Sequence, residues 1–326
     1  MRKNVLVTNQ GKDKVREILQ AEIGGLARIS YLPDFTGEQR GKALKEADVL
    51  IAYQMRKEVK QEEYALLDRL SFLQTIYAGV ETLPFAELPA DIVICANVGA
   101  LAPVIAEHAL ALILALSKDL AKNHLDLAKG EFKWKSKTKW LGNGVAGIIG
   151  FGHMGQAVAR LLRPLGMKIF GLNTSGRTGQ EADFIGTLAD LEKLLRAADV
   201  ALLCLPLTKK TKDLIGAREL AWMKQDAVLV NMARAEIVEQ KALFQHMQAH
   251  PDFRMGTDVW WVEPFTQGEF RLDYPLFELP NFLGSPHNAV NVGDLTQMSW
   301  TAAAKNVRRR ILGERLKGVV NRADYI

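Results

Sequence analysis

Short apolar runs alternate with amphipathic segments along the first hundred residues. NVLVTN, DVLIAY, LQTIYAG and DIVICAN have the length of strands, and the segments between them, such as KVREILQAE and EEYALLDRL, have helical spacing. A second series of strand-like runs follows: VAGII, KIFGLN, VALLCLP, AVLVNMA and FRMGTDVW. Helical patterns such as DLEKLLRAA separate them. This alternation is typical of parallel sheets covered by helices, so the pattern predicts an α/β chain with two doubly wound parallel-sheet domains.

Two long helical patterns lie outside this alternation. The first runs from about Val104 to Ala128 and separates the two series of strands. The second is amphipathic and runs from about Asp294 to Leu312. Since no strand remains beyond it, we expect this last helix to return to the first domain. The predicted domains are therefore residues 1–98 with 287–326, and an inserted domain of residues 99–286.

Composition agrees with two globular domains. The 326 residues are 48% hydrophobic, which is enough for two modest cores. Cys95 and Cys204 lie inside strand-like apolar runs, so we expect core thiols and no disulfide, and no spacing suggests a metal site. The apolar run from Val104 to Leu116 contains charged residues and is interpreted as a buried helix, with no membrane partner.

The net charge and the N-terminal residues narrow the possible partners and the expected location of the protein. The formal net charge is only +5, and the densest basic stretch, KWKSKTK from Lys133, is interpreted as a solvated loop and not as a nucleic-acid site. The opening MRKNVLVTNQ lacks the apolar length of a signal peptide. We therefore expect a cytoplasmic protein.

A glycine motif gives the first chemical signal. Gly150, Gly152 and Gly155 form G-x-G-x-x-G between the strand VAGII and a helical pattern, with His153 and Met154 inside the motif. In this context the first glycine permits a tight turn, the second lets the backbone approach a pyrophosphate, and the third allows close packing of helix on strand. The phosphates would meet the helix N-terminus. The inserted domain is therefore predicted to bind a dinucleotide.

The acidic residue that normally follows this motif is missing. An NAD site has Asp or Glu at the end of the second strand, where the carboxylate accepts the ribose hydroxyls. Here the strand KIFGLN ends at Asn173, and Thr174, Ser175 and Arg177 follow. A neutral amide removes repulsion toward a 2′-phosphate, and the hydroxyls and guanidinium are suitable donors. This combination favours NADP. The alternative is an NAD site in which Asn173 bonds an unmodified ribose.

Three further segments resemble one enzyme family. VNMARAEIVEQKAL, DVWWVEP and LPNFLGSPHNA follow the glycine motif in this order. Together they resemble the D-isomer-specific 2-hydroxyacid dehydrogenases, which include glyoxylate/hydroxypyruvate reductases. The similarity extends from about Gly79 to Asn321. It implies a Rossmann cofactor domain inserted into a flavodoxin-like substrate-binding and catalytic domain, and hydride transfer between NADP(H) and a small 2-oxo acid that yields a D-2-hydroxy acid.

The resemblance also implies three catalytic residues. Arg234 would bind the carboxylate and carbonyl of the 2-oxo acid, Glu263 would pair with His287, and His287 would be the general acid/base. The chemistry agrees: guanidinium holds two oxygens together, imidazole exchanges a proton near neutral pH, and a neighbouring carboxylate favours the protonated imidazole. Glyoxylate and hydroxypyruvate are the expected substrates.

Other site residues rest on the resemblance alone. The family pattern aligns Ala78, Gly79 and Val80 with a loop whose N–H groups meet the substrate carboxylate, although a structural turn remains open. It places Asp258 at the nicotinamide carboxamide, with a capping or turn role as the alternative. Further cofactor contacts are implied for five residues: Leu205, Pro206, Thr211, Met232 and Ala233.

Two departures from the family pattern remain. Ala235 stands where the family usually has glycine, and Asn288, Ala289 and Val290 replace the usual residues after the histidine.

Family members are commonly homodimers, so a homodimer is expected. The alternative function is a dinucleotide-responsive binding protein of the corepressor type, and substrate turnover distinguishes the two.

Overall fold

The computed structural model describes residues 2–135 and 137–326. The chain forms two compact units: Met1–Leu101 with Asn291–Ile326, and Ala102–Val290. We call these the first and second units. The chain passes from one unit to the other after Leu101 and again after Val290. Both points lie a few residues beyond the predicted boundaries of 98/99 and 286/287, so His287 belongs to the second unit.

The first unit is built on a five-stranded parallel sheet in the order β2-β1-β3-β4-β5, the flavodoxin-like order that was predicted. Its strands are β1 (Lys3–Val7), β2 (Ala27–Tyr31), β3 (Val49–Ala52), β4 (Phe72–Thr75) and β5 (Val93–Cys95). Its helices are α1 (Asp13–Ile23), α2 (Gly37–Glu46), α3 (Met55–Glu58) and α11 (Leu295–Leu312). Helix α11 packs against α1, which confirms that the last helix returns to this unit.

The second unit is built on a seven-stranded parallel sheet in the order β12-β11-β10-β9-β6-β7-β8, a Rossmann arrangement. Its strands are β6 (Val145–Ile149), β7 (Lys168–Leu172), β8 (Phe184–Gly186), β9 (Val200–Leu203), β10 (Val228–Asn231), β11 (Arg254–Thr257) and β12 (Phe282–Gly284). Its helices are α4 (Ala102–Ser117), α5 (Leu120–Ala128), α6 (His153–Leu162), α7 (Leu191–Ala197), α8 (Ala217–Trp222), α9 (Gln240–Ala249) and α10 (Pro264–Gln267).

Each sheet separates two apolar cores. Successive residues of a strand point to opposite faces, so the alternate positions of β10 enter different cores. Val228 and Val230 pack with α4 and α6, whereas Leu229 packs with α7, α8 and α9. Both faces of the central strands are buried, which explains why these strands read as continuous apolar runs in the sequence.

The long helix predicted over Val104–Ala128 is wrong in one respect, because it is two helices. Asp119 separates α4 from α5 and has a left-handed backbone with φ of 49°. Its carboxylate pairs with Arg254 at the start of β11, with Nε to Oδ1 at 2.9 Å. We infer that this largely buried ion pair fixes the break, which helical periodicity alone does not reveal.

Two simpler expectations concern cysteines and membranes. Cys95 and Cys204 are both free thiols, as predicted, and burial raises the pKa of both. Among the helices of residues 2–135 and 137–326, none has the length and apolar character that crossing a bilayer requires.

Candidate active site

The predicted site residues of the second unit lie at one edge of its sheet. Because all seven strands are parallel, the loops after their carboxyl ends share that edge, where α/β proteins bind ligands. In spatial order of the strands these are His287 after β12, Asp258 and Glu263 after β11, Arg234 after β10, Leu205 after β9, Gly150 after β6 and Asn173 after β7. Sequence-distant motifs are thereby brought to neighbouring strand ends.

The glycine motif forms a tight turn from β6 into α6. Gly150 has φ of +102°, and a β-carbon on it would lie 2.6 Å from the carbonyl carbon of Cys204. A β-carbon on Gly155 would lie 2.5 Å from the carbonyl oxygen of Gly150. Gly152 instead faces open space, with no heavy atom within 4 Å of its β-carbon position. His153 and Met154 begin α6, whose first N–H groups are available to an anion at this end.

Asn173 organises the turn after β7. Its Oδ1 accepts hydrogen bonds from the N–H of Ser175 at 3.0 Å and of Gly176 at 2.8 Å, and its Nδ2 donates to the carbonyl of Arg177 at 2.8 Å. Thr174, Ser175 and Arg177 are exposed on this turn. Asn173 therefore shapes the loop that presents these donors, a role that sequence reasoning did not identify.

The remaining implied cofactor residues lie after β9 and β10. Thr211 is buried, and its hydroxyl donates to the carbonyl of Pro206 at 2.7 Å, which closes the loop after β9. Leu205, Met232 and Ala233 have buried side chains. These three side chains therefore belong to the packed core at the carboxyl ends of the strands.

His287 and Glu263 form a direct pair. The His287 Nδ1 atom lies 2.8 Å from Glu263 Oε1, which also accepts a hydrogen bond from the N–H of Trp260 at 2.9 Å. Glu263 is buried, whereas the His287 side chain is 26% exposed and so remains accessible. His287 has φ of 50°, a left-handed conformation that is uncommon for a non-glycine residue. The ring of Phe265 packs edge-on to the imidazole, with centroids 5.1 Å apart.

Arg234 lies in the loop after β10, just before a short 3-10 turn over Ala235–Ile237. Its carbonyl accepts a hydrogen bond from Asn231 Nδ2 at 2.8 Å, and its Nη1 donates to the carbonyl of Ala233 at 2.6 Å. The guanidinium is partly buried, which places a cation at the strand-end edge with its orientation restrained by the loop.

Asp258 anchors the loop that carries His287. Its Oδ1 accepts from the Ser285 hydroxyl at 2.5 Å and from the N–H of Asn288 at 3.1 Å, and its Oδ2 accepts from the N–H of Ala289 at 3.0 Å. The residue is 2% exposed. The turn role that the sequence left open for Asp258 is thus present in the structure.

One histidine beside this network escaped the sequence analysis. His108 lies on α4, in the segment that the sequence indicates as a buried helix, yet its Nε2 lies 2.8 Å from Ser285 Oγ and 3.6 Å from Asp258 Oδ1. His108 and Ser285 are separated by 177 positions, so no local pattern joins them. The only sequence signal was a polar residue on a helix whose neighbouring positions are apolar.

Other side chains near these segments have structural partners. Trp260 is buried against Phe270, Phe277 and Phe282, and its Nε1 donates to the carbonyl of Ser285 at 2.9 Å. The polar sequence around His246 is typical of an exposed helix face, but its side chain is half-buried. It packs edge-on to Phe253, and burial lowers its pKa to about 4.

The implied substrate loop lies in the first unit, after β4. Val80 is buried and anchors the loop, whereas Ala78 is exposed. Within residues 2–135 and 137–326, no acceptor takes a hydrogen bond from the N–H of Ala78, Gly79 or Val80. The Arg56 side chain donates to the carbonyl of Thr82 at 2.8 Å and so braces this loop.

Comparisons with known proteins agree with this arrangement. Residues 110–289 match the family model described as D-isomer specific 2-hydroxyacid dehydrogenase, NAD binding domain, which is more than half of the chain. The chain belongs to this family. It is 30% identical to a glyoxylate reductase of Thermococcus kodakarensis over 280 residues, which cover 83% of this chain and 81% of the relative.

Two other relatives show the extent of the likeness. This dehydrogenase-family chain is 27% identical over 320 residues to a D-3-phosphoglycerate dehydrogenase of Methanocaldococcus jannaschii, covering 97% of this chain but only 59% of that longer protein. The solved structure of a D-isomer specific 2-hydroxyacid dehydrogenase family protein from Aeromonas salmonicida is 26% identical, covers 99% of this chain and 100% of that one, and superposes with a TM-score of 0.77.

The two departures from the family pattern have explanations in this family member. Ala235 is 1% exposed, so its additional methyl group is accommodated inside the core. Ala289, two residues after His287, is also buried and packs in the core that contains α4 and α6.

Proposed function

We propose that this protein reduces a small 2-oxo acid, glyoxylate or hydroxypyruvate, to the corresponding 2-hydroxy acid with NADPH, and that a chiral product such as glycerate has the D configuration. The observation that carries the proposal is the pairing of His287 with Glu263 at 2.8 Å, after β12 and β11, with Arg234 after β10, the next strand in the sheet. A buried carboxylate, an accessible imidazole and a guanidinium are the groups that ketone reduction requires.

Each group has a distinct task. Arg234 holds the carboxylate and ketone oxygens of the substrate, because a planar guanidinium can donate to both. Glu263 binds Nδ1 of His287 and fixes the ring, so proton transfer to the ketone oxygen falls to Nε2. The nicotinamide ring supplies the hydride when bound. The N–H groups of Ala78 and Gly79 are proposed as additional donors to the substrate carboxylate.

The chain also has a cradle that fits a dinucleotide. The open space at Gly152 and the N-terminus of α6 suit a pyrophosphate, which needs close backbone approach and N–H donors. We propose that Leu205, Pro206 and Thr211 line the adenine side, and that Met232, Ala233 and Asp258 lie toward the nicotinamide. Asp258 Oδ2 receives one donor from the protein, the N–H of Ala289, and so can accept another from a carboxamide.

NADP is the proposed preference over NAD. The turn that Asn173 organises carries no acidic side chain, and it exposes Thr174, Ser175 and Arg177. Among the described residues, no carboxylate pairs with the Arg177 guanidinium. An exposed, unneutralised guanidinium beside two hydroxyls is suited to a 2′-phosphate.

Arg177→Ala tests the preference directly. Losing a hydrogen bond to a charged group costs about 1.5–3 kcal/mol, so the KM for NADPH is expected to rise by about 10- to 100-fold. The KM for NADH should stay within about twofold. Steady-state kinetics with both cofactors measures the split, and Arg196→Ala, an exposed arginine on α7, controls for the lost charge. Equal effects on both cofactors would contradict a phosphate contact.

A substrate panel tests the activity itself. We expect NADPH oxidation only when a 2-oxo acid is added, with glyoxylate and hydroxypyruvate giving higher kcat/KM than pyruvate, phenylpyruvate or 2-oxoisocaproate. Absorbance at the reduced nicotinamide band follows the reaction, and each substrate is repeated with NADH. Cofactor binding without turnover on any substrate would refute the proposal and favour the binding-protein alternative.

A homodimer is proposed as the assembly. Helix α5 exposes Leu120, Leu125 and Leu127, and the segment after it exposes the large aromatic side chains of Phe132, Trp134 and Trp140. Exposed aromatic groups of this kind are typical of protein–protein contacts. Replacing both Trp134 and Trp140 with serine is expected to shift the sedimentation coefficient from dimer to monomer. An unchanged coefficient would place the contact elsewhere.

A further inference from the structure

A hydrogen-bonded chain of three side chains supports the loop on which His287 lies. It begins at His108 on α4, passes through the hydroxyl of Ser285 and ends at the carboxylate of Asp258. The two contacts measure 2.8 Å and 2.5 Å. All three residues lie in the second unit, and the proposed catalytic chemistry of the site uses neither His108 nor Ser285.

The proton positions in this chain follow from counting donors. Asp258 receives three hydrogen bonds, from Ser285 Oγ, Asn288 N and Ala289 N, which is the role of an ionised carboxylate. The Ser285 hydroxyl has one proton, and it is donated to Asp258. Its oxygen must therefore accept from His108, so Nε2 of that ring carries a hydrogen.

The hydrogen-bonded chain contacts the loop both before and after His287. Ser285 precedes His287, and Asn288 and Ala289 follow it, so Asp258 closes the turn around the catalytic residue. That turn holds His287 at φ of 50°, a conformation that the surroundings must enforce. Without the Ser285 hydroxyl, Asp258 would lose its shortest contact and His108 would lose its acceptor.

We propose that His108, Ser285 and Asp258 form a positioning chain that holds His287 in its catalytic orientation. His108 orients the Ser285 hydroxyl toward Asp258, and Asp258 holds the Ser285 side chain before the imidazole and the backbone N–H groups of Asn288 and Ala289 after it. His108 is thus a positioning residue, which acts through Ser285. The proposal rests on the proposed role of His287 as the general acid/base.

Two pairs of variants test this hydrogen-bonded chain, and kcat is the quantity measured for each variant. Ser285→Ala and His108→Leu break it, and we expect kcat to fall by about 10- to 100-fold, the effect of a small misplacement of a catalytic group. The KM for NADPH should stay within about threefold. Ser285→Thr keeps the hydroxyl, and His108→Gln keeps a donor at the ε position, so both should retain most of the wild-type kcat. His124→Leu, at an exposed histidine of α5, is the matched control.

Imidazole NMR separates this inference from the proposed activity. Only six histidines are present, so 15N-labelled wild-type protein should give a resolvable His108 signal with hydrogen on Nε2. Ser285→Ala should alter that signal and shift the His287 signal. Unchanged His287 signals, or a kcat within about threefold of wild type in both disrupted variants, would overturn the proposal. If the wild-type protein shows no turnover, the proposed activity is refuted, and the NMR result still decides whether the hydrogen-bonded chain of His108, Ser285 and Asp258 exists.

Discussion

We expect His287→Asn to lower kcat for 2-oxo acid reduction by about 10²- to 10⁴-fold, the usual contribution of a general acid/base. Asparagine tolerates the left-handed backbone found at this position, where φ is 50°. Its amide can also hydrogen-bond with Glu263. The substitution therefore removes proton transfer while it keeps the turn, and stopped-flow or steady-state measurement of NADPH oxidation gives the loss.

Two measurements make this result specific. The Kd for NADPH, from fluorescence titration, and the Tm should both stay near the wild-type values, because the glycine turn is separate from His287 in the fold. Glu263→Gln should give a smaller loss of kcat, since glutamine keeps an acceptor for the N–H of Trp260 but removes the charge beside the imidazole. A His287→Asn protein with most of its kcat would refute the assigned acid.

The second large effect is expected at Gly150. A β-carbon here would lie 2.6 Å from the backbone carbon and oxygen of Cys204 and 2.7 Å from the N of Leu205, at the end of the neighbouring strand. These backbone atoms directly follow β9, and the N–H of Cys204 donates to the carbonyl of Ile149 at 2.8 Å, so they have little freedom to move. A β-carbon also disfavours the φ of +102° at this position. For both reasons we expect Gly150→Ala to lower the free energy of unfolding by about 2–5 kcal/mol. Thermal or urea unfolding measures this loss.

Gly152→Ala is the informative partner of this variant. Its β-carbon would meet no heavy atom within 4 Å, and its φ of −93° suits any residue. Stability should therefore remain within about 1 kcal/mol of wild type. Affinity for NADPH should nevertheless fall at least tenfold, because the methyl group would occupy the place proposed for the pyrophosphate. If Gly152→Ala binds NADPH as the wild type does, the pyrophosphate lies elsewhere.

Much of the fold followed from local patterns. The alternation of apolar runs and helical segments predicted two parallel sheets, because a strand buried on both faces must be apolar at consecutive positions, as Val228, Leu229 and Val230 are. The turn glycines were also identified in sequence, since Gly150 and Gly155 occupy positions where a side chain has no space. These features depend on neighbouring residues along the chain.

Several features depended on distant partners and were missed. Nothing in the periodicity of residues 104–128 marks Asp119 as a helix break, because its partner Arg254 comes 135 positions later. The burial of His246 depends on Phe253, which lies near it only after the chain turns at the end of α9. A sequence shows which groups are present, but their distances arise from packing.

The sequence by itself determined the class of fold, the dinucleotide turn, and the residues Arg234, Glu263 and His287 as candidates for catalysis. It also determined the absence of an acidic residue after β7, which is the basis for proposing NADP. Only the tertiary structure decided that Asn173 shapes its own turn and that His108 reaches Ser285 beside the catalytic loop. Parallel strands bring their carboxyl ends to one edge, so residues far apart in sequence become partners there, and their hydrogen bonds follow from that geometry.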